Sequence, residues 1–300
     1  MELINYDGIV NAAITCRKKG IVAVAGAADL HVIKAVLEAK KKKIAEPILI
    51  GERTTNCSCL RQLGENPADF NLVEPLNGET AAQVAVRLIK DGSADVLMKG
   101  MIETSDLLRP VVRDPDLKTG RAMSHISFNL LPGYHKIIAN TDGGITPHPD
   151  IKVKRDIVFN AIDAFHRLGY EMPKVACLCC KETVDAKMSE TVEARAMREL
   201  CARGEFGSAY VEGPISYDIA MSSDIAMRKG FDCPHCGDFD ILVTPDIHSC
   251  NIMGKVWTVS MHSVMAGVVL GAAVPIVLSS RGASAEEKFL SLAMALALKN

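Results

Sequence analysis

The sequence predicts an α/β fold built from two doubly wound domains, and three observations support this. Short apolar runs rich in β-branched residues alternate with longer amphipathic segments in both halves of the 300-residue chain. Such alternation is typical of parallel sheets whose connecting helices cover both faces. A hydrophobic content of 48% is sufficient for one large or two smaller cores. An apolar run near the C-terminal end stops abruptly at a polar loop, as a buried strand does where it leaves a sheet.

The N-terminal third of the chain predicts the first part of one domain. The predicted elements are a strand at 21–25, a turn at 26–29, a helix ending at Lys43, a strand at 48–51, a helix at 80–90 and a strand at 94–98. The last of these strands is followed directly by Lys99 and Gly100. Ligands of a parallel sheet gather at the carboxyl ends of its strands. Lys99 is therefore a candidate anion ligand, with an ordinary surface lysine as the alternative.

The chain changes character after Gly120. Short strands at 124–129 and 134–140 and a Gly143-Gly144 turn predict a crossover to a second domain. The alternation then resumes with a helix at 151–168, a strand at 175–178, a helix at 190–203 and a strand at 240–244. We therefore expect one domain to comprise residues 1–128 and 271–300, and the other to comprise residues 129–270.

A loop between a strand and a helix near the C-terminal end is the most informative segment. The predicted strand at 274–278 is followed by Ser279-Ser280-Arg281-Gly282, and a helix is predicted to begin at Ser284. Backbone N–H groups and the dipole at a helix N-terminus favour an anion, and an arginine there can bind phosphate in a fork. The loop therefore indicates a phosphorylated ligand. Ser284 and Glu287 also have the spacing of a capping box, which is the structural alternative.

Composition and charge exclude several classes of partner. The net charge of −2 and the aromatic content of 5% give no basic surface with interleaved aromatics for nucleic acid. The longest apolar stretch, 264–278, is interrupted by Gly267, Gly271 and Pro275, so no membrane span is predicted. No secretory signal is visible after Met1, and we expect a cytoplasmic protein.

The ten cysteines are expected to be reduced thiols in that compartment. Two clusters, at Cys177–Cys180 and at Cys233–Cys236, contain the residue types of a zinc site. Neither has a second pair at zinc-finger spacing, so we predict buried or loop thiols and no metal. A metal site assembled only in three dimensions is the alternative.

Several motifs occur in order along nearly the whole chain. They are Leu97–Gly100, Thr104–Arg109, Ser124-His125, Thr141–Gly144, Gly213-Pro214 with Asp218, Asp240–Ile247, Asn251 and Ser280-Arg281. Together they resemble the phosphate acetyltransferase and phosphate butyryltransferase family. The Met98-Lys99-Gly100 segment and the short chain are more similar to the butyryltransferase branch.

The resemblance implies a reaction and an architecture. The reaction converts a short-chain acyl-CoA and phosphate reversibly to acyl phosphate and CoA, with butyryl-CoA favoured and acetyl-CoA as the alternative. The implied protein is a cytoplasmic homodimer of two-domain subunits, similar in architecture to isocitrate and isopropylmalate dehydrogenases, with the active site in the cleft between the domains. CoA and phosphate are its substrates, and no metal or other cofactor is implied.

The chemistry is expected at the loop and in the helix that follows it. Arg281 is the candidate to hold the phosphate, and Ser280 is the candidate donor to the phosphate or to the oxyanion that develops on the carbonyl group. Glu287 matches the candidate base of the acetyltransferases, and Glu286 matches that of the butyryltransferases. Either is expected to take the proton of the CoA thiol. Successive helical residues point about 100° apart, so only one of the two can face the site.

Six residues are the candidates to bind CoA or phosphate, and the resemblance implies such a contact for Arg109. The six are Lys99, Gly100, Arg109, Ser124, Asp142 and Asn251. The alternative for Arg109 is a structural salt bridge to Asp106 or Asp114. Asp142 and Asn251 are expected to orient the ligand or the loops around it.

One segment departs from the family pattern. Where the family usually has a small residue, glycine and asparagine, this chain has Ser249-Cys250-Asn251. Cysteine does not adopt a positive φ easily and adds bulk, which affects the shape of the cleft and the acyl preference. A CoA- or phosphate-binding relative with weakened or lost turnover is therefore the main rival. Retention of Arg109, Ser280 and Arg281 favours a working enzyme.

A decarboxylating dehydrogenase on the same scaffold is the second rival. It would need clustered aspartates for a divalent metal and a nicotinamide site. The sequence contains no such cluster and no Gly-x-Gly-x-x-Gly motif.

Overall fold

A computed structural model describes residues 3–15, 19–76 and 78–299 of the chain. The chain divides into two compact units, each with its own run of neighbouring strands. We call residues 6–120 and 265–300 the N-terminal unit, and residues 1–5 and 121–264 the central unit.

Helices and strands alternate through most of the described chain. The helices are α1 (Asp7–Thr15), α2 (Leu30–Lys41), α3 (Arg53–Gln62), α4 (Ala81–Lys90), α5 (Thr104–Arg113), α6 (Ile151–Arg167), α7 (Ser189–Ala202), α8 (Tyr217–Met221), α9 (Ser223–Lys229), α10 (Ile247–Lys255) and α11 (Ala285–Ala297). The strands are β1 (Gly20–Ala25), β2 (Ala45–Ile50), β3 (Asn71–Val73), β4 (Val96–Lys99), β5 (Ser124–Leu130), β6 (Ile138–Thr141), β7 (Lys174–Leu178), β8 (Tyr210–Ile215), β9 (Ile241–Val243), β10 (Val264–Leu270) and β11 (Ile276–Val277). The α/β prediction is confirmed.

The sheet of the N-terminal unit has the strand order β3-β2-β1-β4-β11-β10. All neighbours pair in parallel except β10 and β11, which are antiparallel. The order reverses between β1 and β4, because the chain builds outward from β1 first towards β3 and then in the opposite direction. Ligands of open α/β sheets bind at the carboxyl ends of the strands at such a point. Here these ends are followed by Gly26, by Gly100 and by the loop after β11.

Helices of the N-terminal unit pack against each other and against this sheet. Both α1 and α2 pack against α11, while α4 packs against α5 and β1. From Lys288 to Ala297 every residue of α11 is buried. A helix buried on all sides is apolar all round, which explains why α11 lacks the polar face of an ordinary surface helix.

The strands of the central unit follow the order β5-β6-β9-β7-β8. Here β5 and β6 are antiparallel, and the other neighbours are parallel. A buried lysine, Lys136, precedes β6, and its Nζ lies 2.8 Å from an oxygen of Asp238 and 2.7 Å from an oxygen of Asp240. This buried cation is therefore matched by two carboxylates.

The two units differ from the predicted domains at their boundaries. Residues from 121 to 128 belong to the central unit because β5 pairs with β6. Residues 265–270 belong to the N-terminal unit because β10 pairs with β11. The backbone of Leu3 bonds to Tyr170 and Ile137, which attaches the described start of the chain to the central unit. The cleft between domains and the dehydrogenase-like arrangement stay predictions.

None of the helices within the described ranges combines the length and the apolar character needed to cross a lipid bilayer.

The approach of β4 to β1 leaves no room for a side chain at Gly100. A Cβ atom there would lie 2.0 Å from the carbonyl oxygen of Gly26 and 2.8 Å from that of Ala25. Backbone atoms cannot move aside without shifting both strands, so we expect Gly100→Ala to lower the free energy of unfolding by about 1–3 kcal/mol in urea titrations. Gly282→Ala is the matched control, because no atom lies within 4 Å of a Cβ at that position. An equal loss in both variants would contradict this explanation.

Candidate active site

The loop between β11 and α11 exposes a serine and an arginine at a helix N-terminus. Ser279 is buried, whereas Ser280, Arg281 and Gly282 are exposed. The capping box that the sequence allowed is present: Ser284 Oγ accepts from Glu287 N at 3.1 Å, and Glu287 Oε2 accepts from Ser284 N at 2.8 Å. This box holds the first turn of α11 directly behind the loop.

Arg281 forms an ion pair with Glu103, the residue that precedes α5. The arginine side chain is 54% exposed and that of Glu103 is 62% exposed. Within the described part of the chain, Ser280 Oγ has one long contact of 3.4 Å, from the N–H of Gly282. The guanidinium and the hydroxyl are thus accessible to a ligand, and the pair with Glu103 is of the weak, solvent-screened kind.

Lys288 is a functional candidate that the sequence analysis missed. It is 3% exposed, and its Nζ donates to the carbonyl oxygen of Ser280 at 2.9 Å and to Ser279 Oγ at 3.3 Å. Burial lowers its pKa, an effect that Asp29 and Glu287 oppose. The available signal was a single charged residue at the start of the otherwise uncharged segment from Lys288 to Ala297.

Lys99 is the second buried lysine at this edge of the sheet. It is 4% exposed, and among the described residues its Nζ has one long contact, 3.5 Å from the carbonyl oxygen of Gly100. Burial lowers its pKa, and the positive charges of Lys288 and Arg281 lower it further, while Glu103 partly opposes the shift. The surface alternative for Lys99 is wrong, because the side chain is almost completely removed from solvent.

Arg109 lies on the surface of α5 and makes no polar contact with Lys99 or Arg281 among the described residues. Its guanidinium lies 3.4 Å from Asp106 on the surface of α5, so the structural salt bridge is present. Asp114, the other candidate partner, pairs with Lys90. Arg109 also lines a cavity of about 1040 Å³ between α4 and α5. Among the described residues, no hydrogen bond or ion pair joins it to the loop after β11.

The two candidate bases differ in exposure. Glu286 is exposed, whereas Glu287 is half-buried and has one oxygen bound to the backbone of Ser284. They therefore project from different sides of the first turn of α11, as the helical period requires.

In the central unit, Asp142 organises its own loop. Its Oδ1 accepts from the backbone N–H groups of His125, Gly144 and Ile145, and its Oδ2 accepts from Thr146 N, at 2.9–3.1 Å. A buried carboxylate with four backbone donors has little capacity left for a ligand. The contribution of Asp142 to binding is thus indirect, through the shape of the loop.

Ser124 and Asn251 are the other two candidates of the central unit, one on β5 and one beside the loop of Asp142. Ser124 on β5 is 1% exposed, and its Oγ accepts from Asn160 Nδ2 at 3.0 Å. Asn251 on α10 is exposed and donates to the carbonyl oxygen of Gly143 at 3.1 Å. Asn251 is therefore accessible to a ligand, whereas Ser124 supports the strand.

Cys250 does not strain the backbone as the departure from the family pattern suggested. It lies inside α10, and Lys43 and His262 are the non-glycine residues with positive φ among those described. Its thiol is buried and accepts from Asn140 Nδ2 at 3.2 Å. Burial raises the pKa of this thiol to about 12, which keeps it protonated.

The cysteine clusters contain protonated thiols. Burial raises the pKa of Cys177, Cys179 and Cys236 to about 12. Within the described ranges, no group of three or more His, Cys, Asp or Glu side chains is arranged to hold a metal ion.

An apolar cavity of about 550 Å³ opens in the central unit at the carboxyl ends of β7 and β9. Its lining includes Leu178, Thr244, Met253, Trp257 and Met261. A cavity with this lining suits a short hydrocarbon chain.

Comparisons with known proteins agree on one family. The family model described as phosphate acetyl/butaryl transferase matches residues 61–296. A phosphate butyryltransferase of Clostridium acetobutylicum is 37% identical over 275 residues, which is 91% of each chain. A phosphate acetyltransferase of Rhizobium meliloti is 34% identical over 97% of this chain and 92% of its own. The crystal structure of a branched-chain phosphotransacylase from Enterococcus faecalis V583 is 30% identical, with a TM-score of 0.80 over 93% of this chain and 98% of its own.

The four hydrogen bonds that Asp142 accepts allow its structural role to be tested by substitution. In Asp142→Asn one side-chain oxygen becomes an amide donor facing a backbone N–H, so we expect a loss of about 1–3 kcal/mol in the free energy of unfolding. Asp150→Asn is the control, because the N-terminal bonds of α6 use only Oδ1 of Asp150 and asparagine caps equally well. A similar stability for both variants in urea unfolding would argue against the role assigned to Asp142.

Proposed function

The chain belongs to the phosphate acetyl/butaryl transferase family, and on this basis we propose that it transfers a short acyl group reversibly between CoA and phosphate, with butyryl-CoA as the preferred donor. It is an acyltransferase. The observation that carries the proposal is the exposed Ser280-Arg281 pair at the N-terminus of α11, beside the buried cation of Lys99.

The chemistry needs a held phosphate and a stabilised oxyanion. Arg281 can exchange the carboxylate of Glu103 for phosphate, since both partners of that pair are exposed. The hydroxyl of Ser280 and the N–H groups at the start of α11 supply further donors. Phosphate held in this way is positioned to attack the thioester carbonyl, and in reverse the thiol of CoA attacks the acyl phosphate.

The proton of the CoA thiol requires a base, and we assign it to Glu287 in preference to Glu286. Glu287 is half-buried, and one of its oxygens is already oriented by the capping box. The other oxygen is available to a thiol. Glu286 is exposed, so its orientation is not determined in the same way.

Each unit by itself offers candidate contacts for CoA. Arg109 lines the cavity between α4 and α5 together with Arg87, Arg113 and three aspartates, and its guanidinium is a candidate ligand for a CoA phosphate. Asn251 offers an accessible amide in the central unit, where Asp142 shapes the neighbouring loop. Ser124 and Gly100 contribute indirectly. Ser124 supports β5 through its bond to Asn160, and Gly100 permits the close approach of β4 to β1.

Two observations support a butyryl preference. The butyryltransferase relative is 37% identical, and the apolar cavity of about 550 Å³ can take a longer chain than acetyl. The 34% identical acetyltransferase supports acetyl-CoA as the second candidate. The cytoplasmic location, the homodimeric assembly and turnover without a metal or other cofactor, all implied by the family resemblance, belong to the same proposal.

A thiol-release assay tests the proposed reaction. We expect CoA release from acetyl-, propionyl- and butyryl-CoA only when phosphate is present, with the highest kcat/KM for butyryl-CoA. One methylene changes preference by about 1–3 kcal/mol, so the series should rank the donors clearly. Addition of a chelator is the control and should leave the rate unchanged. Release at the same rate without phosphate would indicate a thioesterase instead.

The base assignment is tested by two isosteric changes. Glutamine can replace Glu287 in the capping box, so Glu287→Gln should keep the melting temperature while lowering kcat by about 10²–10⁴. Glu286→Gln removes the same charge one position along the helix and should retain turnover. Normal kcat in both variants would mean that the thiol proton leaves by another route, and the reverse pattern would transfer the role to Glu286.

A further inference from the structure

We propose that Lys99 and Lys288 form the inorganic phosphate subsite of the enzyme, an inference that rests on the proposed function. In this subsite the ammonium of Lys99 contacts the phosphate directly. Lys288 acts as a positioning residue, because its ammonium donates hydrogen bonds to the loop that carries Ser280 and Arg281. The sequence resemblance assigned no role to Lys288.

The first argument is the imbalance of charge at Lys99. Lys99 is 4% exposed, and within the described chain no carboxylate lies within ion-pair distance of its ammonium, whose contact is with the carbonyl oxygen of Gly100. Lys136, the comparable buried lysine of the central unit, has oxygens of Asp238 and Asp240 within 2.8 Å. A buried charge without a partner is costly, so it is retained where a ligand supplies the opposite charge.

The second argument concerns the acidic groups around the two lysines, each of which is already engaged. Glu103 pairs with Arg281. Asp29 accepts from the N–H of Val32 at the start of α2, and Glu287 accepts from the N–H of Ser284 at the start of α11. None of the three makes an ion pair with Lys99 or Lys288 in the described structure, so these carboxylates compensate the positive charge of the two ammoniums only in part.

The third argument is the position in the fold. Lys99 ends β4 at the point where the strand order reverses, and the loop after β11 leaves the neighbouring strand. The N-termini of α2 and α11 follow the ends of β1 and β11. Two helix dipoles and two ammoniums at one edge of the sheet favour a compact anion with a high charge, which inorganic phosphate is.

Lys288 differs from Lys99 because its protons are used by the loop. It donates to the carbonyl oxygen of Ser280 at 2.9 Å and to Ser279 Oγ at 3.3 Å. These bonds fix the backbone that presents Ser280 and Arg281. Its charge also adds to the field that Lys99 experiences.

The test of Lys99 combines stability with binding of inorganic phosphate. In phosphate-free buffer Lys99→Met should have an equal or higher melting temperature than the unchanged protein, because it removes an unpaired buried charge. It should lose the rise in melting temperature that phosphate gives to the unchanged protein, and its KM for phosphate should increase at least tenfold. Lys42→Met removes an exposed lysine paired with Glu38 and should change none of these values.

Lys288 is tested by separating kcat from KM. Lys288→Met removes both the charge and the donor, so it should raise the phosphate KM and lower kcat at least tenfold. Lys288→Gln keeps a donor for the Ser280 carbonyl and should recover kcat while the phosphate KM stays raised. A kcat equally low in both variants would contradict the positioning role.

A lower melting temperature of Lys99→Met together with unchanged phosphate binding would show a structural lysine and overturn the proposal. The thermal measurement needs no turnover. Failure of the acyltransferase assay would therefore reject the proposed function and leave the phosphate test valid, whereas an active enzyme whose Lys99→Met variant binds phosphate normally would reject only this subsite.

Discussion

The parallel pairing of β4 with β1 on one side and β11 on the other is the constraint on which the candidate active site depends. It brings three strand ends together where the strand order reverses. The backbones approach so closely at Gly26 and Gly100 that a side chain on Gly100 does not fit. Lys99 and the loop after β11 are thus held by backbone ladders, which position functional groups more accurately than flexible loops do.

The same arrangement concentrates positive charge on two lysine side chains that are almost completely buried. Burial lowers the pKa of both Lys99 and Lys288, and the positive charge of Lys288 lowers that of Lys99 further. Elsewhere in the chain a buried lysine is balanced by carboxylates, as at Lys136. Among the described residues, the buried lysines that lack a carboxylate partner lie at this place, which is the pattern of a site that gives up stability for function. In the proposed reaction the missing negative charge arrives with phosphate.

The strands and the loop were predictable because their signals are local. Apolar runs ending at Gly100 and at Ser279 indicate strand ends whatever the rest of the chain does. The burial of Lys288 was not predictable, since it depends on α1 and α2 packing around α11, and a lysine near a helix start ordinarily faces solvent. Likewise, the residues around Asp142 indicate a turn, but not that four backbone donors take up its oxygens. The domain boundaries depend on which strands pair with β5 and β10. The local sequence pattern does not specify strand partners, so it could not place these boundaries.

The cations at the edge of the N-terminal sheet differ in what a phosphate must displace. Arg281 is bound to Glu103 through an exposed ion pair, whose contribution to stability is on the order of 0–1 kcal/mol. Exchange of that carboxylate for phosphate is therefore inexpensive and reversible, which suits a substrate that must leave as acyl phosphate. Among the described residues Lys99 has no carboxylate partner to release, so the proposed contact with phosphate would relieve an unpaired buried charge. In the proposed site Lys99 supplies affinity for phosphate. Arg281, which can leave Glu103, stays in contact with the phosphate while negative charge develops on the carbonyl oxygen.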